Sequence, residues 1–257
     1  MPALPPGLLC RVEDAGLNAS APPQQRWLDG WLLRLSPGKA KRARCVNALA
    51  SGRLSLDERL AQARQAYAAA GLPLLVRITP FSVPAELDQR LAELGFHTLD
   101  DTRVMVCPSL DALQAPRMPE AAELLPTEGA QFAELVGGWR GSSAAQQRAH
   151  AERLAQSPVR YAGFRLLVDG ETVACAQMAR EGALVGLYDV FTAPEHRGRG
   201  HAGAICAALL SSARKQGAQV GYLQVEGDNH SARAVYHRLG FADAYAYHYR
   251  TDDPQAK

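Results

Sequence analysis

The 257-residue sequence has little of what marks several large protein classes. No run approaches the roughly 18 apolar residues of a membrane span. Met1 to Cys10 carry neither a basic start nor an apolar stretch long enough for a signal peptide. An excess of one charge is missing too: 28 basic and 26 acidic residues leave a net charge of +2, with no basic stripe of the kind that binds nucleic acid. The five cysteines (Cys10, Cys45, Cys107, Cys175 and Cys206) are odd in number and scattered, and no Cys or His cluster has metal-ligand spacing. These absences point to a cytoplasmic protein with no metal and no nucleic-acid or membrane partner, and they suit a monomer or a homodimer alike. What is present is ordinary for a folded chain: 47% hydrophobic and 21% charged residues, enough for one large domain or two of usual size.

The opening to about Gln25, rich in Pro, Ala and Gly, reads as partly irregular. Gly30–Leu35 then reads as a strand. A helix is predicted from Ser55, with Leu56, Leu60, Ala63 and Tyr67 on one face and Gly71 as its stop. Strand Leu74–Thr79, helix Ala85–Leu94 and strand Thr102–Cys107 follow, and the proline-rich stretch from Pro108 to Pro126 reads as a linker with at most a short helix. Beyond it, helices Glu128–Trp139 and Ala144–Gln156 lead to strand Tyr161–Val168, which turns at Asp169-Gly170, a strong hairpin signal, into Glu171–Ala179. Strand Leu184–Thr192, helix Ala202–Gln216, strand Gly221–Val225, helix Ser231–Leu239 and strand Tyr245–Arg250 complete the chain. Two segments share one order. Gly71 to Val106 and Gly217 to Tyr249 each run glycine, strand, helix, Leu-Gly-Phe, strand, with Leu94-Gly95-Phe96 answered by Leu239-Gly240-Phe241. An internal repeat is expected.

Chemistry concentrates in Arg197-Gly198-Arg199-Gly200-His201-Ala202, a glycine-rich turn between a predicted strand and a predicted helix. Amides at a helix start have no intrahelical partner, and the helix dipole makes that end positive. Glycines let a phosphate approach the backbone without meeting a Cβ, and Arg197 and Arg199 add donors suited to phosphate oxygens. The expected ligand is a pyrophosphate. The loop lacks both the Gly-Lys-Ser/Thr of nucleotide-triphosphate loops and the acidic partner of the dinucleotide fingerprint.

This loop resembles the acetyl-CoA signature of the GNAT superfamily of N-acetyltransferases, Arg/Gln-x-x-Gly-x-Gly/Ala. Asn229 to Phe241, with Ala232, Tyr236 and Gly240 in between, is similar to that family's second signature, Asn-x-x-Ala-x-x-x-Tyr-x-x-x-Gly-Phe. The resemblance covers about Glu128 to Arg250. It implies an α/β (α+β) fold with a mixed, mostly antiparallel sheet flanked by helices. It also implies a C-terminal acetyltransferase domain (120–257) beside a smaller, degenerate GNAT-like N-terminal domain (1–115), a tandem arrangement.

The resemblance further implies acetyl-CoA as cofactor. Main-chain groups of Val190, Phe191 and Thr192 would pair with the pantetheine amides, the amides from Arg197 to Ala202 (including Gly198, Arg199, Gly200 and His201) would hold the pyrophosphate, and Asn229 would contact the pantetheine arm. Tyr236 would protonate the departing thiolate. A base must take a proton from the incoming ammonium. The positions that carry a Glu in other members are Gln224 and Gly186 here, which leaves Asp189, Glu226 or a water chain. The N-terminal half keeps none of this: Leu91 stands where Tyr236 stands, and Asn47 to Arg53 hold no phosphate loop. Its expected work is to complete the sheet and wall the acceptor pocket, with Arg34 a candidate for that wall and Trp27 and Trp31 expected in the core. The implied activity is acetyl transfer to a primary amine of a small molecule or amino acid. The alternatives are a catalytically weak acetyl-CoA sensor and a protein N-terminal or lysine acetyltransferase.

Overall fold

The computed structural model describes residues 4–256. Helix α1 (Pro6–Ala19) has proline in its first turn, where the missing N–H costs no hydrogen bond. The expectation of an irregular start is thereby corrected: Val12, Ala15 and Ala19 recur at helical spacing, and their face is buried. Strands β1 (Gln25–Leu28) and β2 (Trp31–Arg34) form a hairpin across Asp29-Gly30, with φ of 42° and 85°. Then come β3 (Val46–Ala48), α2 (Leu56–Ala69), β4 (Val76–Ile78), α3 (Leu87–Glu93) and β5 (His97–Cys107). The proline-rich stretch contributes a strand, β6 (Ala122–Thr127), against the expected linker. Pro126 is tolerated because β6 lies at the sheet edge and pairs only with one neighbour. The rest of the chain forms α4 (Gly129–Trp139), α5 (Ala144–Ala155), β7 (Tyr161–Val168), β8 (Glu171–Glu181), β9 (Leu184–Thr192), α6 (His201–Lys215), β10 (Val220–Glu226), α7 (His230–Arg238) and β11 (Ala242–Thr251).

The 11 strands among the described residues belong to one sheet, in the order β1-β2-β3-β4-β11-β5-β10-β9-β8-β7-β6. The order is a palindrome of the repeat, with β6 left over at one end. Both parallel pairings, β3–β4 and β9–β10, occupy matching positions, and the other neighbours are antiparallel. Each half sends its last strand across the middle: β5 pairs with β10, and β11 pairs with β4. Aligning the two Leu-Gly-Phe segments maps the pairing Ala242–Val106 onto His97–Thr251, the opposite end of the same ladder. The two hairpins match as well, since Asp169-Gly170 joins β7 to β8 with φ of 52° and 80°.

Alternation along the central strands sorts side chains to two faces. Met105 and Leu223 pack with Ile205, Leu209 and Tyr236 on the α6–α7 face. Val104, Val106 and Tyr222 pack with Val12, Ala15 and Ala19 of α1 on the other. Trp31 is fully buried against α2 as expected, whereas Trp27 is 65% exposed on the edge strand, a correction to its expected core role. Among the described residues no helix is long and apolar enough to cross a membrane.

Candidate active site

Strands β9 and β10 run in parallel register from Val220–Leu184 to Leu223–Leu187, and their pairing ends there. Beyond Leu187, β9 continues to Thr192 held only by β8, so its β10-facing edge is open from Tyr188 to Thr192. A register shift between Cys175 and Gln177 marks a bulge at this point, and Asp189 has φ of 49°. A bulge with a left-handed non-glycine residue re-aims the strand. Val190, Phe191 and Thr192 follow it, with Phe191 stacked on Trp139 at 5.8 Å.

The loop after β9 is exposed from Arg197 to Gly200. Gly198 and Gly200 have φ of 79° and 85°, and a Cβ built on either meets nothing within 4 Å. Gly200 is the N-cap of α6 and gives no side-chain cap, so the amides that open the helix keep no side-chain acceptor. Arg197 lies over the Phe191 ring at 5.4 Å, and Arg199 is exposed. His201 is buried in the first turn, and burial, His196 and Arg199 all push its pKa down, which favours the neutral ring. His196 faces Glu171 at 3.4 Å and joins it and Glu195 in an acidic cluster at the base of the loop. This geometry suits an anion in front of α6.

Helix α7 packs beside α6, with Val235 Cγ1 3.7 Å from where a Cβ of Gly203 would sit. Asn229 caps α7 by accepting the Ala232 amide at 3.1 Å, so its Oδ1 is committed to the helix start. Tyr236 is 8% exposed, with its ring 6.2 Å from that of Phe241 at an interplanar angle of 62°, and lies among Ile205, Cys206 and Leu209. Burial, reinforced by Cys206, holds its phenol well above the usual range, so it carries its proton at neutral pH.

The predicted carboxylates do not join this group. Asp189 receives Arg140 Nη1 at 2.6 Å, lies 3.3 Å from His150 Nε2 and accepts Gln177 Nε2 at 3.3 Å. Burial alone would raise its pKa, but His150, Arg140 and Arg153 together hold it far below the ordinary carboxylate range. A carboxylate so stabilised is a poor proton acceptor. Glu226 ends β10 exposed, with its carbonyl taking the Asn229 amide. At Gly186 a Cβ would lie 2.5 Å from Tyr222 Cζ and 2.6 Å from Tyr188 Cε2, so no acid can stand there. Gln224 accepts Arg42 Nη1 at 2.7 Å and the Tyr247 hydroxyl at 2.8 Å.

On the α1 face the open edge of β9 borders a small cleft, lined in part by Tyr161, Tyr188, Asp189, Arg42 and Arg153. Tyr188 and Tyr222 share a hydroxyl contact of 2.9 Å beside it. Arg140, His150 and Arg42 were absent from the sequence expectations. Arg140 stands at the C-cap of α4 and His150 on α5, and no local motif marks either.

A family model described as "Probable histone acetyltransferase Rv0428c C-terminal" matches residues 9–250. The chain is similar to "Uncharacterized N-acetyltransferase YobR" of Bacillus subtilis (strain 168), 26% identical over 228 residues that cover 88% of this chain and 91% of that one. Among solved structures it resembles a GCN5-related N-acetyltransferase from Kribbella flavida, with a TM-score of 0.71, 19% identity and coverage of 96% and 95% of the two chains. It also resembles a tandem GNAT protein from the clavulanic acid biosynthesis pathway, with a TM-score of 0.60, 16% identity and coverage of 80% and 72%. The chain therefore belongs to the Rv0428c C-terminal acetyltransferase family and is an N-acetyltransferase, and its fold is that of the GNAT structures it resembles.

Proposed function

We propose that this enzyme transfers the acetyl group of acetyl-CoA directly to a primary amine of a small molecule. One observation carries the reading: β9 and β10 stop pairing at Leu187, the uncapped start of α6 lies beyond the end of β9, and a small cleft at Tyr188 and Asp189 opens on the α1 face. The residues at that helix start fit coenzyme A, because glycines with open space before them and uncapped helix amides suit a diphosphate. Acetyl-CoA supplies an activated thioester. Amides from Arg197 to Ala202 hold its pyrophosphate, the free main-chain edge of Val190 to Thr192 aligns the pantetheine amides, and the Asn229 side-chain amide, with its oxygen used in the cap, offers its N–H₂.

The acceptor nitrogen forms a bond to the acetyl carbon as the carbon–sulfur bond breaks. The amine loses a proton and the leaving thiolate gains one from Tyr236, whose buried phenol is protonated at the pH of the reaction. Asp189 serves as the fixed counter-ion that positions Arg140 and His150 on the acceptor side, and solvent in the cleft carries the amine proton away. The protein-acetylating alternative is suggested by the family's description, but a cleft walled by Arg42, Arg153 and Tyr161 favours a small acceptor over a peptide. Calorimetry with acetyl-CoA and thiol release across a panel of primary amines test the reading. Binding without thiol release from any amine would leave a sensor, and absence of binding would remove the acetyl donor.

A further inference from the structure

No ionisable group lining the cleft at Tyr188 can take a proton near neutral pH. Arg42 and Arg153 are permanent cations. Burial pushes the Tyr161 and Tyr188 phenols up, so both keep their protons. Asp189 is held far below the carboxylate range by the cations around it. An incoming ammonium must nevertheless lose a proton before its nitrogen can attack.

His150 of α5 stands against that same acid. Its Nε2 lies 3.3 Å from Asp189 Oδ2 and makes no hydrogen bond to any other described residue. Its side chain is 17% exposed, so solvent reaches the ring.

Several elements build the contact. A capping box of Ser143 and Gln146 fixes the first turn of α5. At Gly137 of α4 a Cβ would lie 2.5 Å from Gln147 Cγ, so the two helices pack closely only with glycine there. Arg140, at the end of α4, and His150 then take different oxygens of Asp189. Gln177 of β8 donates to the oxygen that faces His150. Asp189 itself has the left-handed φ of 49°, an angle a non-glycine residue keeps only where its surroundings over-determine it.

The charges at this cluster are Asp189 of β9, Arg140 and Arg153, and from the first half Lys39 donates to the Arg140 carbonyl at 3.3 Å. Two guanidinium groups already balance Asp189, so neutralising it does not require a charged imidazole. Histidine is the side chain whose ordinary titration falls in the neutral range. With Nε2–H directed at Asp189, the Nδ1 lone pair is the one left to accept a proton.

We propose that His150, oriented by Asp189, is the base that takes the acceptor's proton through solvent at the open edge of β9. The ammonium gives one proton to Nδ1, and the neutral nitrogen attacks the acetyl carbon. As the carbon–sulfur bond breaks, Tyr236 protonates the thiolate, and the second proton on nitrogen replaces the one Tyr236 gave, again through solvent. His150 then releases its proton to bulk, so the products are amide, thiol and one proton. Asp189 is a positioning residue that acts through the ring. This inference rests on the acetyltransferase reading above and supplies its base.

The test follows kcat/KM for benzylamine and butylamine, two amines of different basicity, from about pH 6 to 10. The rate should fall on the acid side as one group gains a proton, at a position both amines share. His150→Gln should lower kcat/KM by about 10²-fold and remove that limb, and added imidazole should restore part of the rate. Asp189→Asn tolerates the left-handed backbone but removes the anion that favours a protonated ring, so the limb should move to lower pH. His97→Gln, on the exposed part of β5, should keep both rate and limb. NMR of ring-labelled histidine with coenzyme A bound should find His150 neutral at about pH 8, with its proton on Nε2. That reading needs no turnover, so it judges the base whichever amine is the acceptor. Failure of acetyl-CoA to bind in calorimetry would remove the acetyltransferase reading. A limb that survives His150→Gln or tracks the amine, or a neutral ring with its proton on Nδ1, would overturn this inference alone.

Discussion

The two halves start from the same strand, turn and helix, yet one leaves its helix start open and the other closes it. In the second half, α6 begins after glycines that face open space, and its first amides have no side-chain acceptor. In the first half, Ser55 caps α2 through a reciprocal bond with Glu58, a device that contributes about 1 kcal/mol to helix stability. Just upstream, the Asp29 carboxylate accepts the Arg53 and Leu54 amides at 2.9 and 2.8 Å. Those two amides hold the Asp29 pKa below its ordinary value. The chain's own acids thus occupy the place where the other half offers amides to a phosphate. In the first half, then, the amides around the helix start have acceptors within the chain.

Replacing Tyr236 with Leu, the residue at the matching position of the first half, is the largest expected break in this asymmetry. It should lower kcat by about 10²–10⁴-fold while leaving acetyl-CoA affinity nearly intact, as steady-state kinetics and calorimetry would reveal. A drop in affinity of similar size would mean that the residue is only a core Tyr. Gly200→Val comes next. A β-branched residue cannot adopt φ of 85° without strain, so acetyl-CoA binding should weaken by about 10- to 100-fold at unchanged overall fold by circular dichroism. Gly186→Ala should destabilise the protein by about 1–3 kcal/mol in urea unfolding, because its methyl would intrude on the Tyr188 and Tyr222 rings.

The smallest effect belongs to Asp29→Ala, which should speed hydrogen exchange at Arg53 and Leu54 without changing turnover. The pH dependence of that protection has a definite sign. A carboxylate with a depressed folded-state pKa contributes fully above its unfolded value and loses that contribution as pH falls through the folded value. Protection at Arg53 and Leu54 should therefore be constant from pH 7 to 5 and fall in the acid range below about 4. If exchange there is indifferent to Asp29, the closed-cradle comparison is wrong.

Much of the later half was legible because its signals are local. Asp169-Gly170 specifies a hairpin whatever surrounds it, and Gly198 and Gly200 are needed for their backbone angles. The same Asp-Gly signal at Asp29-Gly30 is weaker, since the strand before it is only four residues long. Strand β6 was hidden by prolines that an edge position tolerates. The crossing of β5 and β11 could not be read, because pairing partners lie far apart in sequence and no local pattern names them.

The sequence by itself determined the helices after α1, the Asp169-Gly170 hairpin, the glycine turn before α6 and the repeat of Leu-Gly-Phe, all matters of neighbouring residues and short periodicities. Only the tertiary structure decided that β9 and β10 part after Leu187 and that Asp189 is tied to Arg140 and His150. It alone brought Arg34, Arg42 and Arg77 together under α1. The physical reason is that charge balance in a buried site is a property of groups from distant segments, and a sequence lists them without saying which will meet.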